Sequence, residues 1–368
     1  MKLTGLRIAL VGPLPPPEGG MANQTRQLGE LLQRDGAKVT IMQVNAPYRP
    51  RWIGRVRGVR ALFRLVPYTC GLWRVAGNVD VFHIMANSGW SWHLFASPAV
   101  WIARMRGRPS VVNYRGGGAE AFLAHSGGVV LETLNRASAL AVPSSFLQQV
   151  FGLRGIRCEV VPNIVDTECF RPAHAQRSPR IQHVVVARNL EAIYDIATAL
   201  RAFALVRNGA PGARLTVAGS GPERRNLQSL ALELGIAKSV YFSGRLERGR
   251  MAELYRSASV VINPSRVDNM PNSVLEAMAS GVPVVSTSVG GVPFILRDGV
   301  TGLLVPAGDH AAMAAAVQRV LTDHSLAARL RDAALIEVQQ YTWPRVRQKW
   351  VDVYAMVLSG AQVEARPA

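Results

Sequence analysis

Short runs of β-branched and aliphatic residues alternate along this chain with longer stretches whose apolar residues recur at helical spacing. Residues 7–11, 38–44, 79–84, 110–114, 139–142 and 158–161 read as strands, and the series resumes at 181–187, 214–218, 239–242, 260–263 and 283–286. Strands separated by helix-length segments pair in parallel rather than as hairpins, so the pattern commits the chain to helix-covered parallel sheets, an α/β fold. The alternation breaks at 171–180, RPAHAQRSPR, where two prolines and polar residues read as a linker.

At 368 residues two domains of roughly 100 to 200 residues each are expected, each with its own core. The division implied is 1–172 and 173–342, followed by 343–368. In that last segment Val346, Trp350, Val353, Tyr354 and Val357 recur at helical spacing and predict a helix packed back on the N-terminal domain. Two domains also imply a cleft.

The charge balance narrows the partners. Lys and Arg number 42 against 24 Asp and Glu, a formal charge of +18, and 49% apolar content excludes a disordered chain. Between 49 and 74 stand seven arginines (49, 51, 55, 57, 60, 64 and 74) and no acid, interleaved with Trp52, Ile53, Val56, Val59, Leu62, Phe63 and Val66. Two readings of this segment are open: a basic amphipathic helix in the interface of an anionic membrane, or an ordinary helix packed on a core with solvated arginines opposite. Nucleic acid is not expected as a partner, since no helix-turn-helix, zinc finger, RNP-like strand or KH loop is present.

Cys70, Cys158 and Cys169 are widely spaced and form no CxxC or Cys/His metal pattern, which points to a reducing, cytoplasmic compartment. The apolar run at 8–11 is too short for a signal peptide, and no stretch approaches the ~20 apolar residues of a membrane span. Any membrane association would therefore be peripheral, on the inner face.

Three glycine-rich turns could present backbone N–H groups to a phosphate. Gly19 and Gly20 precede a helix expected over 23–34. Gly219 and Gly221 follow the strand at 214–218 but lack the third glycine of a dinucleotide turn, so a purely structural turn is the alternative. The third stretch, 263–291, runs strand, polar loop, helix, strand and Gly-Gly turn within 29 residues. It places Asp268 in the loop and Glu276 in the first turn of a helix beginning near Asn272 or Ser273, so both carboxylates could face one ligand at the carboxyl edge of the sheet. Glu276 could instead form a capping box with Ser273. A glycosidase acid and base pair is disfavoured, since hydrolases rarely use this two-domain pattern.

Taken together these segments resemble a known family. Gly19-Gly20, VVPNIVDTECFRP at 160–172, the strand leading to Arg188, the AGSGPE turn at 218–223, FSGRL at 242–246 and the stretch from Asp268 to Glu276 resemble a family 4 retaining glycosyltransferase (glycosyltransferase group 1), over about 7–354. The resemblance implies the GT-B architecture, two Rossmann-like domains facing across a deep cleft, and a nucleotide-sugar donor. Glu276 would bind the ribose hydroxyls, and Asp268, one methylene shorter than the family's Glu, would lie near the sugar hydroxyls. Amides of Asn269, Met270, Asn272 and Ser273 would contact sugar and diphosphate, Gly244 and Arg245 would flank the base, and Arg188 would neutralise the diphosphate. No metal or other cofactor is expected: there is no DxD motif, and a fixed arginine with a helix N-terminus can stabilise a leaving nucleoside diphosphate.

Two positions depart from the family pattern. Tyr194 and Asp195 stand near the usual Lys-Gly pair, and Arg115, opening Arg115-Gly116-Gly117-Gly118, stands where a His is usual after the strand at 110–114. Arg115 could supply the missing charge to a phosphate of donor or acceptor, or could pair with Glu120, while Asp195 is expected to cap the following helix. His83, Asn87, Trp90 and Trp92 are the candidate acceptor residues, with core packing the alternative for His83 and for at least one of Trp90, Trp92 and Trp101. The function implied is transfer of a sugar to a membrane- or lipid-linked saccharide acceptor in bacterial surface polysaccharide or glycoconjugate biosynthesis. A weakened homologue that binds nucleotide sugar or glycolipid without turnover is the main alternative, and a nucleotide-sugar epimerase would need further acid or base residues.

Overall fold

The structure, a computed structural model, describes residues 2–16, 19–47, 60–173 and 182–360. The chain divides into two compact units, one of residues 1–164 with 343–368 and one of residues 165–342.

In unit 1 six parallel strands, β1 (Arg7–Gly12), β2 (Lys38–Gln43), β3 (Val81–Ala86), β4 (Ser110–Tyr114), β5 (Ala139–Val142) and β6 (Glu159–Val160), lie in the order β2-β1-β3-β4-β5-β6. Every residue of β3, β4 and β5 is buried, as expected of strands covered on both faces. Helices α1 (Gly20–Arg34), α2 (Arg60–Val75) and α3 (Ser97–Met105) pack on this sheet, α1 against β1 and β2, α2 against β2 and α3 against β3 and β4. The predicted last helix forms over Trp343–Leu358 and belongs to this unit. Its Val346, Trp350, Val353, Tyr354 and Val357 enter a core with Ile8, Leu10, Val81 and Val111. At its start the Trp343 indole N–H donates to Asp35 at 3.2 Å, and Arg347 pairs with the same carboxylate.

Unit 2 holds β7 (His183–Ala187), β8 (Arg214–Ala218), β9 (Val240–Gly244), β10 (Val260–Asn263), β11 (Val284–Thr287) and β12 (Leu303–Val305), all parallel, in the order β12-β11-β10-β7-β8-β9. The order reverses between β7 and β10. In open α/β sheets the crevice at the carboxyl ends of the strands beside such a reversal is where ligands bind.

The expected parallel α/β architecture is therefore what the chain adopts, with differences at the edges. β12, only three residues long, was not legible as a strand. The first crossing between units falls after Ile164 rather than Pro172, because Val165 and Phe170 are buried in the core of unit 2 and the Val165 N–H donates to the Tyr341 carbonyl at 2.9 Å. Most of the expected linker, residues 174–180, lies outside the described residues, as do residues 49–59 of the arginine-rich segment. The remainder of that segment is the helix α2. Cys70, Cys158 and Cys169 are free thiols, and no helix among the described residues is long and apolar enough to cross a membrane.

Candidate active site

The reversal point of unit 2 gathers the residues singled out from the sequence. Arg188 leaves the end of β7, and its Nη2 meets the Asp268 carboxylate, on the loop after β10, at 2.5 Å. Its Nη1 reaches the Ser273 hydroxyl at 3.4 Å, and its guanidinium lies 4.0 Å from the centroid of the Tyr194 ring. The Nε of Arg188 is buried without a hydrogen-bond partner among the described residues. A buried donor left unmatched costs about 1–3 kcal/mol, which an anion arriving at this point would recover.

The AGSGPE turn holds that arginine from behind. The Arg188 N–H donates to the Ala218 carbonyl, the Leu190 N–H to Ser220 and the Glu223 N–H to Leu190, at 3.0–3.1 Å. A Cβ at Gly219 would overlap the Arg188 carbonyl oxygen, and one at Gly221 the Leu190 carbonyl oxygen. Both glycines are thus required by backbone packing, the structural alternative, and they act on the site by fixing Arg188. The Gly219 N–H in turn donates to the carbonyl of Gly244, which has φ +72°, and Arg245 beside it is exposed.

The helix Asn272–Ala279 begins at Asn272 behind Pro271, with no side-chain cap. Ser273 lies inside the helix and accepts from Arg188, while Glu276 accepts from the Tyr255 hydroxyl at 3.2 Å. The capping-box alternative is therefore not the one realised. Burial pushes the Glu276 carboxyl up to about 7, against the opposing pull of Tyr255, Arg248 and Arg188. Burial likewise holds the Asp268 carboxyl above its ordinary range even beside Arg188. Asn269 and Met270 are buried in the same loop, and the Asn269 N–H donates to the Asp268 carboxylate at 3.1 Å.

Asp195 does not cap the following helix through a backbone N–H. It adopts a left-handed conformation, φ +43°, with its buried carboxylate accepting from the Thr198 hydroxyl at 2.9 Å and from Arg266 Nε at 2.8 Å. This backbone region favours glycine, and aspartate is among the few other residues that enter it; the glycine that the family resemblance implies here has a conformational reason. Arg266 also donates its N–H to the Ile193 carbonyl at 2.9 Å, so it ties the loop carrying Tyr194 to the loop carrying Asp268. Neither this tie nor Tyr255 carried a sequence signal, because both join residues far apart in the chain.

Unit 1 redistributes the acceptor candidates. His83 is fully buried: Asn113 Nδ2 lies 2.9 Å from its Nε2, the Tyr354 hydroxyl 2.7 Å from its Nδ1, and the Trp350 ring 4.5 Å from its own. With the amide donating to Nε2, the ring proton sits on Nδ1. Burial, with Arg115 nearby, lowers the His83 pKa to about 3. The packing alternative is realised, and His83 is corrected from acceptor contact to core residue. Trp92 is also fully buried, its ring 6.1 Å from that of Phe122 and 6.3 Å from that of Tyr114; it too belongs to the core. Its neighbour Trp90 is 79% exposed, and Asn87 is exposed just past the end of β3. Arg115 follows β4, its backbone N–H donating to the Ala86 carbonyl at 2.9 Å; its Nε donates to Asn113 at 2.8 Å, its Nη1 bonds Asn163, and burial lowers its pKa to about 9. A Cβ at Gly116 would meet Asn87 Oδ1 and Ser88 Oγ at 2.6 Å, so this glycine lets the ends of β3 and β4 approach. Gly19 and Gly20 stand at the uncapped N-terminus of α1, which starts at Gly20 rather than Asn23.

Comparison with known proteins places this geometry. Residues 168–335, nearly all of unit 2, match the family described as glycosyl transferases group 1. The chain is 34% identical over 235 residues to a D-inositol 3-phosphate glycosyltransferase of Acidothermus cellulolyticus, covering 60% of this chain and 52% of that one. It is 26% identical over 335 residues to D-inositol 3-phosphate glycosyltransferase 1 of Catenulispora acidiphila, covering 80% and 76%. It thus spans about half the length of the first of these relatives. Among solved structures, the sucrose-phosphate synthase of Thermosynechococcus elongatus superposes with a TM-score of 0.77 at 21% identity, covering 96% of this chain and all of that one. Anabaena HepE in complex with UDP-glucose superposes with a TM-score of 0.74 at 16% identity, covering 95% and 99%. These likenesses establish the GT-B fold class, and the matched segment carries Arg188, Asp268, Ser273 and Glu276. Among the described residues no group of three or more His, Cys, Asp or Glu could hold a metal ion.

Proposed function

We propose that this chain is a family 4 retaining glycosyltransferase that moves a sugar from a nucleotide-sugar donor to a membrane- or lipid-linked saccharide acceptor. Bacterial surface polysaccharide or glycoconjugate assembly is the setting that suits such an acceptor. The observation that carries the reading is Arg188, held at the sheet reversal by Asp268, Ser273 and Tyr194 with one buried N–H unmatched. A leaving nucleoside diphosphate gains negative charge in the transition state, and a pre-aimed guanidinium beside the N-terminus of the helix Asn272–Ala279 stabilises it without reorganisation. Glu276, once ionised, accepts hydrogen bonds from the ribose hydroxyls, and Asp268 lies near the transferred sugar. The leaving phosphate takes the acceptor's proton on the same face, so no separate base is required and configuration is retained. No metal takes part in this scheme. Two solved structures of one neighbour of this fold support the donor class: Anabaena HepE is seen in complex with UDP and with UDP-glucose.

A second reading, a homologue that binds donor or glycolipid without turnover, is favoured by one feature. The Tyr194 ring covers Arg188 where the resemblance implies a lysine, so one cation is replaced by a neutral face. Hydrolysis and transfer by the purified chain separate the two readings, using UDP-, GDP- and ADP-sugars with and without a bacterial lipid extract. Release of one nucleoside diphosphate, stimulated by lipid and abolished in Glu276→Ala, supports transfer; tight donor binding with no release under any acceptor supports the second.

A further inference from the structure

The helix α2 turns an apolar face to solvent. Tyr68 and Leu72 are buried on its inner side, with the Tyr68 hydroxyl donating to the Phe95 carbonyl at 2.7 Å. On the opposite side Phe63, Val66, Pro67, Cys70 and Trp73 form one stripe at helical spacing, all exposed, with Phe63 at 49%, Val66 at 52% and Trp73 at 46%. A helix packed on one face ordinarily presents charge on the other. Here the outward face is the apolar one. Met105, ending α3, is 62% exposed, and the guanidinium of the next residue, Arg106, lies 5.0 Å from the Trp73 ring centroid, so the apolar surface continues with cations at its rim. Arg74 and Arg106 are both exposed.

The surrounding charge limits what covers this stripe. From Gly36 to Gly118 the chain has twelve Lys and Arg and a single carboxylate, Asp80, and Asp80 is paired with Arg7 at 2.5 Å. A second copy docking through the same patch would bring like charges together, which disfavours a symmetric dimer. A surface that is apolar within and anionic at its rim matches both features, and a bilayer of anionic lipids is such a surface. Tryptophan is at home at the headgroup level.

We propose that the outward face of α2 docks this chain on an anionic lipid surface, with Phe63, Val66 and Trp73 entering the interface and Arg74 and Arg106 meeting the lipid phosphates. The proposal rests on the transferase reading only for its purpose, since it would bring the enzyme to a lipid-linked acceptor, and it is tested without any donor. The full chain is co-sedimented with vesicles of phosphatidylglycerol and phosphatidylcholine, and with phosphatidylcholine alone, in 0.1 M and 0.5 M salt. Binding is expected to the anionic vesicles, to weaken at high salt, and to fall at least tenfold in Phe63→Ser with Trp73→Ser. A loss of about fivefold is expected for Arg74→Ser alone, corresponding to ~1 kcal/mol for one basic residue near such a surface. Circular dichroism confirms that the variants are folded. Failure of the wild type to bind, or equal binding by the apolar double variant, overturns the proposal. So does an apolar variant that turns a dimer into a monomer in sedimentation while binding vesicles as before, because the occupant would then be a second copy. Vesicle binding by a chain that turns over no nucleotide sugar refutes the transferase reading and leaves the docking surface standing.

Discussion

Replacing Glu276 by Gln tests the electrostatics of the site independently of any substrate. The carboxyl is pushed from an ordinary 4.5 to about 7 by burial, so in the folded chain its ionised form is less favourable by about 3 kcal/mol. The folded state therefore holds this proton to higher pH than the unfolded chain does. Stability is greatest below the unfolded value near 4.5, falls as pH rises toward about 7, and levels off above it. The amide introduced by Glu276→Gln would keep an acceptor for the Tyr255 hydroxyl, which lies 3.2 Å from the carboxylate, and would have nothing to ionise. Glu276→Gln is thus expected to match the wild type near pH 4.5 and to exceed it by about 2–3 kcal/mol at pH 8.5. The assay is urea unfolding of the two proteins across that range. It is followed by far-UV circular dichroism, because all seven tryptophans lie outside residues 165–342. A difference independent of pH, or a wild type that gains on the variant as pH rises, would refute the reasoning. The same ionisation governs the donor: if ribose hydroxyls bind the carboxylate, nucleotide affinity weakens about tenfold per pH unit below about 7.

Other substitutions separate support from contact. Gly219→Ala would drive a methyl into the Arg188 carbonyl; a stability loss of at least about 2 kcal/mol in denaturant titration, accompanied by weaker nucleotide binding, is expected. Tyr194→Phe keeps the ring beneath Arg188 and should leave nucleotide affinity unchanged, whereas Tyr194→Leu should weaken it about threefold to tenfold by calorimetry, the value of a partly buried cation–π contact. His83→Ala removes a buried ring with two hydrogen bonds and is expected to lower stability by about 2–4 kcal/mol without altering nucleotide affinity measured on the folded protein.

The fold was legible because periodicity is local: buried parallel strands such as 184–187 and 260–263 stand out as uninterrupted aliphatic runs. The site at the β7 and β10 ends was legible from the loop and helix at 263–279, whose residue types carry chemistry at fixed spacing. What escaped depends on contacts between distant residues. His83 is claimed by Tyr354, 271 positions away, and no local pattern distinguishes a core histidine from one facing a ligand. Trp90 and Trp92, two residues apart where a helical segment begins, fall on nearly opposite faces, so Trp92 is buried and Trp90 is left outside. Asp195 reads as a cap by composition, yet its left-handed backbone and Arg266, 71 positions away, give it another task. The apolar residues of α2 were legible as one face but left open between a membrane interface and a core, since spacing alone does not say which side of a helix meets its neighbours.

The most direct test of the central claim is calorimetric titration of the purified chain and of Arg188→Ala with UDP, GDP and ADP. The expected result is saturable binding of one nucleoside diphosphate by the wild type and at least a tenfold loss in the variant, whose fold is retained. Binding of none of the three by the wild type, or equal binding by Arg188→Ala, would contradict a nucleotide-sugar site built around that arginine.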